Sequence, residues 1–282
     1  MNIIVAKTAG FCFGVKNAVD KTIEELENNK KVYCLGELVH NKEVTEELIK
    51  KGAIFIEKIE EANGKTIIRA HGVPNLVYSK AKDLGIEIKD LTCPKVLHIH
   101  NIAKEYKEKS YFIFLVGQIK HPETIGTISF CGENSYIIEK EEDVEKALEK
   151  FNDSKLENSL LIAQTTFSIE KFEYIARRMQ EQIENIIIKN TICNATRQRQ
   201  EETEKLSKTV DIMIVIGGKH SSNSNKLYEI ASKNCKKTIF IESAKELDVS
   251  IINNNSTVGI IAGASTPKKS IDEVVEILTK KW

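Results

Sequence analysis

The chain has 282 residues, 41% hydrophobic and 29% charged, and its 41 basic and 41 acidic residues cancel. This is the composition of a soluble globular protein with enough apolar residues for a core. The even charge leaves no basic face for nucleic acid, and no apolar run is long enough for a signal peptide or a membrane span, so the expected location is the cytoplasm.

Taken in order, an apolar strand at 2–6 leads into Thr8-Ala9-Gly10-Phe11-Cys12-Phe13-Gly14-Val15 and a helix over 15–26. A strand at 31–35 precedes His40-Asn41 and another helix. A strand at 54–57 is followed by an acidic, helical segment, and such a segment of variable length is expected after the matching strands 136–139 and 239–242 as well. A fourth strand ends in Arg69-Ala70-His71-Gly72. The succession then begins again. It runs through strand 86–91, Cys93, helix 96–106, strand 111–116, His121-Pro122-Glu123, strand 136–139 and a strand ending in Gln164-Thr165-Thr166. A third round gives strand 185–192, Cys193, helix 195–206, strand 212–216 and His220-Ser221-Ser222-Asn223 before a helix starting near Asn225. It closes with strand 239–242, Ala262-Gly263-Ala264-Ser265 and a helix over 270–281. His40, His121 and Ser221 each lie 28 residues after Cys12, Cys93 and Cys193.

Strands alternating with helices predict an α/β fold of parallel βαβ units with right-handed crossovers. Three pseudo-symmetric units are expected: 13–92, 93–192 and 193–282. The third lacks a final strand, so strand 2–6 within residues 1–12 is predicted to complete its sheet. Ligands of open parallel sheets bind beyond the carboxyl ends of the strands, where the three cysteines and both sets of polar turns fall.

Six cysteines without a Cys-x-x-Cys pair are expected as thiols or metal ligands. Cys34 sits inside an apolar strand and reads as a small buried hydrophobe. Cys131 and Cys235 share no register with it or with each other. Cys12, Cys93 and Cys193 do share one, and three thiolates bind either zinc or an iron–sulfur cluster. On a 4Fe–4S cluster they would leave one iron open to substrate. The polar turns offer His40, His71, His121, Ser221, Ser222, Asn223 and Ser265, donors suited to phosphate oxygens, although Ser and Asn there also suit helix capping. Glu123 is either a proton donor or a solvated loop residue. Thr165 and Thr166 either bond a substrate or cap the helix that follows. His98 and His100 read as surface or packing residues.

Gly-Phe-Cys-x-Gly-Val at 10–15, Val-His-Asn at 39–41, Ala-His-Gly-Val-Pro at 70–74 and Thr-Cys-Pro at 92–94 form an ordered set. It continues with His-Pro-Glu-x-x-Gly-Thr at 121–127, Gln-Thr-Thr at 164–166, Ile-Cys-Asn-Ala-Thr at 192–196, Ser-Ser-Asn-Ser at 221–224 and Ala-Gly-Ala-Ser at 262–265. Over essentially the whole chain this set resembles the 4-hydroxy-3-methylbut-2-enyl diphosphate reductase family of the non-mevalonate isoprenoid pathway. The resemblance implies a trefoil of three α/β units around a central cavity holding a 4Fe–4S cluster on Cys12, Cys93 and Cys193. It implies that the substrate hydroxyl meets the open iron and that His40, His71, His121, Ser221, Ser222, Asn223 and Ser265 hold the diphosphate. Glu123 would deliver protons, with Thr165 bridging to substrate and His121 beside them. A ferredoxin or flavodoxin would supply two electrons, and isopentenyl and dimethylallyl diphosphates would form. Lys120 and Thr124 depart from the family's more usual Gly and Val. No added C-terminal RNA-binding domain is expected. A hydro-lyase, a cluster-bearing sensor and a zinc hydrolase are the other readings. Dependence on reductant, the presence of an anion pocket, and iron content separate them from a reductase.

Overall fold

The computed structural model describes residues 1–29 and 31–280. Lys281, the expected last helical residue, and Trp282 lie outside the described residues. The chain opens with β1 (Asn2–Val5) and α1 (Phe13–Asn28), followed by β2 (Val32–Leu35), α2 (Lys42–Lys50), β3 (Ala53–Ile56), β4 (Thr66–Ile68), α3 (Asn75–Asp83) and β5 (Ile88–Asp90). Next come α4 (Pro94–Glu108), β6 (Phe112–Val116), α5 (Pro122–Cys131), β7 (Ser135–Ile138), α6 (Asp143–Ser154), β8 (Ser159–Ala163), α7 (Ile169–Gln182) and β9 (Ile186–Ile188). The last round is α8 (Asn194–Ser207), β10 (Ile212–Ile216), α9 (Ser222–Asn234), β11 (Thr238–Ile241), β12 (Thr257–Ala262) and α10 (Lys268–Lys280).

The strands form three four-stranded sheets, ordered β3-β2-β4-β5, β7-β6-β8-β9 and β11-β10-β12-β1. Every pairing is parallel. The fold is therefore α/β, repeated three times. β1 pairs with β12 from Asn2↔Thr257 to Val5↔Ile260, so the N-terminal strand completes the third sheet as expected. It takes the edge place that β5 and β9 take in the other two.

The central strands are continuous apolar runs because helices cover both their faces. Phe112–Val116, Ser159–Ala163 and Ile212–Ile216 are buried at every position. All four prolines sit at helix starts, where the missing N–H costs nothing. Pro94 and Pro122 are the first residues of their helices, and Pro74 and Pro267 directly precede theirs. The acidic segments differ from expectation. Only the second is an α-helix, with Val144, Ala147 and Phe151 buried at helical spacing. The others shorten to single 3₁₀ turns at Ile59–Glu61, Ala244–Glu246 and Val249–Ile251, which bury too few apolar residues to hold a longer helix.

The chain divides into two compact units, one of Met1–Lys16, Val39–Glu47 and Asn194–Trp282, the other of Asn17–Leu38 and Leu48–Cys193. The first holds the third sheet. The second holds the other two, where the Asn75 amide donates to Ser129 Oγ at 2.9 Å and Gly126 packs on the Val73 backbone. Phe114 is fully buried in the second sheet, with the rings of Phe112 and Phe151 4.9 and 5.9 Å away. Phe114→Ala should cost about 3–5 kcal/mol, read as a lower urea midpoint at unchanged slope. A loss under about 1 kcal/mol would mean that the core closes over the void.

Candidate active site

Cys12, Cys93 and Cys193 occupy one backbone position repeated three times. Each directly precedes a helix, α1, α4 or α8. Each follows an edge strand, and its amide donates to the turn after the neighbouring central strand. The bonds are Cys12 N to Ala264 O at 3.1 Å, Cys93 N to Ala70 O at 2.9 Å and Cys193 N to Thr165 O at 3.1 Å. A helix start presents backbone N–H groups that suit a negatively charged sulfur. All three thiols are half-buried, whereas Cys34, Cys131 and Cys235 are buried. Burial pushes the Cys34 and Cys131 thiols up to about 12, which keeps them protonated.

In the larger unit the two polar turns of the second sheet close on each other. His121 caps α5, its Nδ1 accepting the Glu123 amide at 3.1 Å. A neutral imidazole bonded this way carries its proton on Nε2. The His71 ring stands edge-on to it at 5.5 Å. Glu123 is only 2% exposed and lies in the first turn of α5, so the solvated-loop reading is excluded. Its Oε1 accepts the Thr165 amide and its Oε2 the Thr165 hydroxyl, both at 2.6 Å. Burial dominates over these two bonds and raises its carboxyl to about 7. Thr165 and Thr166 do not cap α7; Ser168 does, accepting from the Lys171 amide.

Gln164, to which the sequence alone assigns no role, ties these turns together. Its Oε1 accepts Gln118 N at 3.0 Å and Thr124 Oγ1 at 3.2 Å, and its Nε2 donates to Thr166 Oγ1 at 2.8 Å. Thr124, one of the two departures in this loop, is thus buried and bonded.

The smaller unit assembles the remaining polar residues. α9 begins at Ser222, three residues earlier than expected, so Ser222 and Asn223 form its first turn. Ser221 caps it by accepting the Ser224 amide. Ser265 Oγ donates to His40 O at 3.1 Å, bringing those two turns together. Gly217 cannot carry a side chain, because its Cβ would collide with Ser224 Oγ. Asn223 is 4% exposed, and its Nδ2 has no hydrogen-bond partner among the described residues. A buried amide donor left open in this way is costly unless a ligand takes it.

The larger unit thus offers Cys93, Cys193, a buried acid poised near neutrality and the imidazoles of His71 and His121, and the smaller unit offers Cys12, His40 and hydroxyl and amide donors. A model of the LytB protein family matches residues 3–279. Among relatives, a 4-hydroxy-3-methylbut-2-enyl diphosphate reductase of Clostridioides difficile (strain 630) is 43% identical, with 99% of each chain covered. One of Thermoanaerobacter sp. (strain X514) is 42% identical over 98% of this chain and 96% of that one. Two solved structures are similar. One is an (E)-4-hydroxy-3-methyl-but-2-enyl diphosphate reductase described as the terminal enzyme of the non-mevalonate pathway. It has a TM-score of 0.72 and 37% identity over 99% of this chain and 100% of that one. The other is an E-1-hydroxy-2-methyl-but-2-enyl-4-diphosphate reductase from Plasmodium falciparum, with a TM-score of 0.90 and 29% identity over 99% and 88%. With a family match along nearly its whole length and relatives above two-fifths identity over almost all of both chains, this chain belongs to the LytB protein family.

Proposed function

We propose that the protein reductively dehydroxylates (E)-4-hydroxy-3-methylbut-2-enyl diphosphate to isopentenyl and dimethylallyl diphosphates. Two electrons and two protons enter and water leaves. The observation that carries this reading is the threefold repetition of one half-buried thiol, each at a helix start with its amide tied to the adjacent turn. The donor set fits a 4Fe–4S cluster. It offers three sulfurs at equivalent places and no fourth cysteine in that register, which would leave one iron of such a cluster without a protein ligand. Cys12, Cys93 and Cys193 would hold the cluster, one from each of the units 13–92, 93–192 and 193–282 with 1–12. When bound, the cluster supplies the electrons and a Lewis-acid iron.

The chain's own groups do the rest. His40, His71, His121, Ser221, Ser222 and Asn223 donate to the diphosphate oxygens, and Ser265 joins them by turning its hydroxyl away from His40 O. Near pH 7 Glu123 retains its proton in part. Oε1 takes the Thr165 amide and Oε2 the Thr165 hydroxyl; a proton arriving on Oε2 reverses the second bond, so that the carboxyl donates to Thr165 Oγ1 and the threonine's own O–H is released toward substrate. Glu123 and Thr165 therefore form a proton relay, and the His121 cap fixes the α5 turn that carries the acid. Among the described residues no helix is long and apolar enough to cross a membrane. We place the enzyme in the cytoplasm, with no nucleic-acid or membrane partner, drawing electrons from a ferredoxin or flavodoxin.

The test is iron and sulfide content with Mössbauer spectra on anaerobically purified protein, before and after adding the diphosphate substrate. About four irons per chain, one of them changing its signal with substrate, is expected. Zinc, or iron indifferent to substrate, overturns the reductase mechanism.

A further inference from the structure

α8, which starts directly after Cys193, has almost no apolar residues, yet one stripe of it is buried: Thr196, Arg199, Gln200, Thr203, Leu206 and Ser207. Two charged side chains one turn apart on this helix reach the loop that carries Cys12. Glu202 accepts Lys7 N at 2.7 Å, Thr8 N at 2.9 Å and Thr8 Oγ1 at 2.5 Å. Burial works to raise the Glu202 carboxyl, but the Thr8 and Lys7 bonds hold it below its ordinary value, so it stays ionised. Arg199 is 4% exposed; its Nη2 donates to Gly10 O at 2.6 Å and its Nη1 to Ala195 O at 3.1 Å. Gly10 has φ +98°, and a Cβ there would press on Ile271, so nothing but glycine seats this carbonyl on the guanidinium. Two residues on, Cys12 N is held by Ala264 O.

We infer that Arg199 and Glu202 are a positioning pair that clamps the Lys7–Gly10 loop and thereby fixes Cys12. Apart from Ala9, which packs on the core, the loop is held mainly through its polar groups. It contains no regular structure, and among the described residues its one local backbone bond runs from Ala9 N to Ala6 O. Glu202 takes the loop's donors at its start and Arg199 takes its acceptor near its end. Charge-assisted bonds of this kind are stronger than neutral ones, and removing a buried partner leaves the other group unsatisfied. The pair's role at a cluster ligand rests on the ligand reading given above; its grip on the loop does not.

Amide hydrogen exchange on the anaerobic holoprotein tests the clamp, with the cluster's reduction potential measured alongside. In Arg199→Met the peptide spanning Lys7 to Cys12 should exchange about tenfold faster or more, while peptides across Cys93 and Cys193 stay as in the parent. Arg199→Lys should recover part of the protection, because it keeps the charge and one donor. Glu202→Gln, at a half-exposed position that threatens folding less, should speed exchange at Lys7 and Thr8. Cluster potential follows local charge. It should therefore move more negative in Arg199→Met and less negative in Glu202→Gln, opposite signs that mere loosening of packing does not produce. Unchanged exchange over 7–12, equal gains at all three cysteine turns, or potential shifts of one sign would overturn the inference. A wrong ligand assignment would show separately, as full iron in Cys12→Ser, and the exchange result would stand on its own.

Discussion

Cys12→Ser, Cys93→Ser and Cys193→Ser should each lose most of the bound iron and nearly all turnover, while Cys34→Ser keeps both. The contrast follows from where the sulfurs sit. The first three are half-buried at strand–helix corners with the same amide bond, so the loss of any one should be felt as much as that of another. A serine hydroxyl is a harder and less acidic ligand than a thiol and cannot replace it on iron. Cys34 is 1% exposed in β2, and burial holds its thiol near 12, so it offers no thiolate. The Cys34→Ser change buries a hydroxyl and should cost stability on the order of 1–3 kcal/mol, without touching the metal. Iron assay, visible spectrum and thermal melting on the same samples separate the two outcomes. Full activity in any of the first three would remove that cysteine from the ligand set.

The threefold repeat was legible because its punctuation is covalent and local. Cysteine, a helix and an apolar run return at fixed spacing, and the 28-residue interval falls on the helix caps His121 and Ser221, whereas in the first unit Asn41, one residue after His40, caps α2. The edge strands were read too long. β5 covers Ile88–Asp90 and β9 Ile186–Ile188, because an edge strand pairs on one side only; β5 ends with its neighbour β4, and β9 leaves β8 two residues before β8 ends. The acidic segments were misread for a related reason. Charge alone sets no face, and only Asp143–Ser154 carries buried apolar residues at helical spacing. That spacing was visible in the sequence and marks the one segment that became an α-helix.

The site was legible in its residue types and much less in its couplings. Glu123 could be named from its place beside His121, but its burial depends on Thr165, 42 residues away. Arg199 and Glu202 gave no signal that periodicity rules detect, because those rules look for apolar stripes and α8 buries a polar one. A stripe of Thr196, Arg199, Gln200, Thr203 and Leu206 has helical spacing all the same. A polar helix following a metal-type cysteine is a pattern worth reading for period rather than for hydropathy.

Glu123→Gln should lower turnover by about 10²-fold or more at little change in KM, since an amide keeps the shape but carries no transferable proton. In the parent enzyme the acid must be protonated to donate, so turnover should decline as pH rises through about 7, the value to which burial lifts this carboxyl. That decline should vanish from the residual activity of Glu123→Gln. Stability carries the same signature. The folded value lies above the ordinary carboxylate value of 4.5, so the folded state holds this proton more tightly than the unfolded chain does. The resulting contribution is fully present below pH 4.5. It is lost as pH rises through about 7, on the order of 3 kcal/mol in all. Glu123→Gln has no such loss, so unfolding free energies measured from pH 5 to 8 should fall in the parent relative to the variant. The Thr165 bonds make the result specific. Thr165→Val removes the hydroxyl but keeps the amide donor to Oε1, so it should slow turnover while leaving the acid buried and high. Near-normal turnover in Glu123→Gln, with the alkaline decline intact, would move the proton donor to another group.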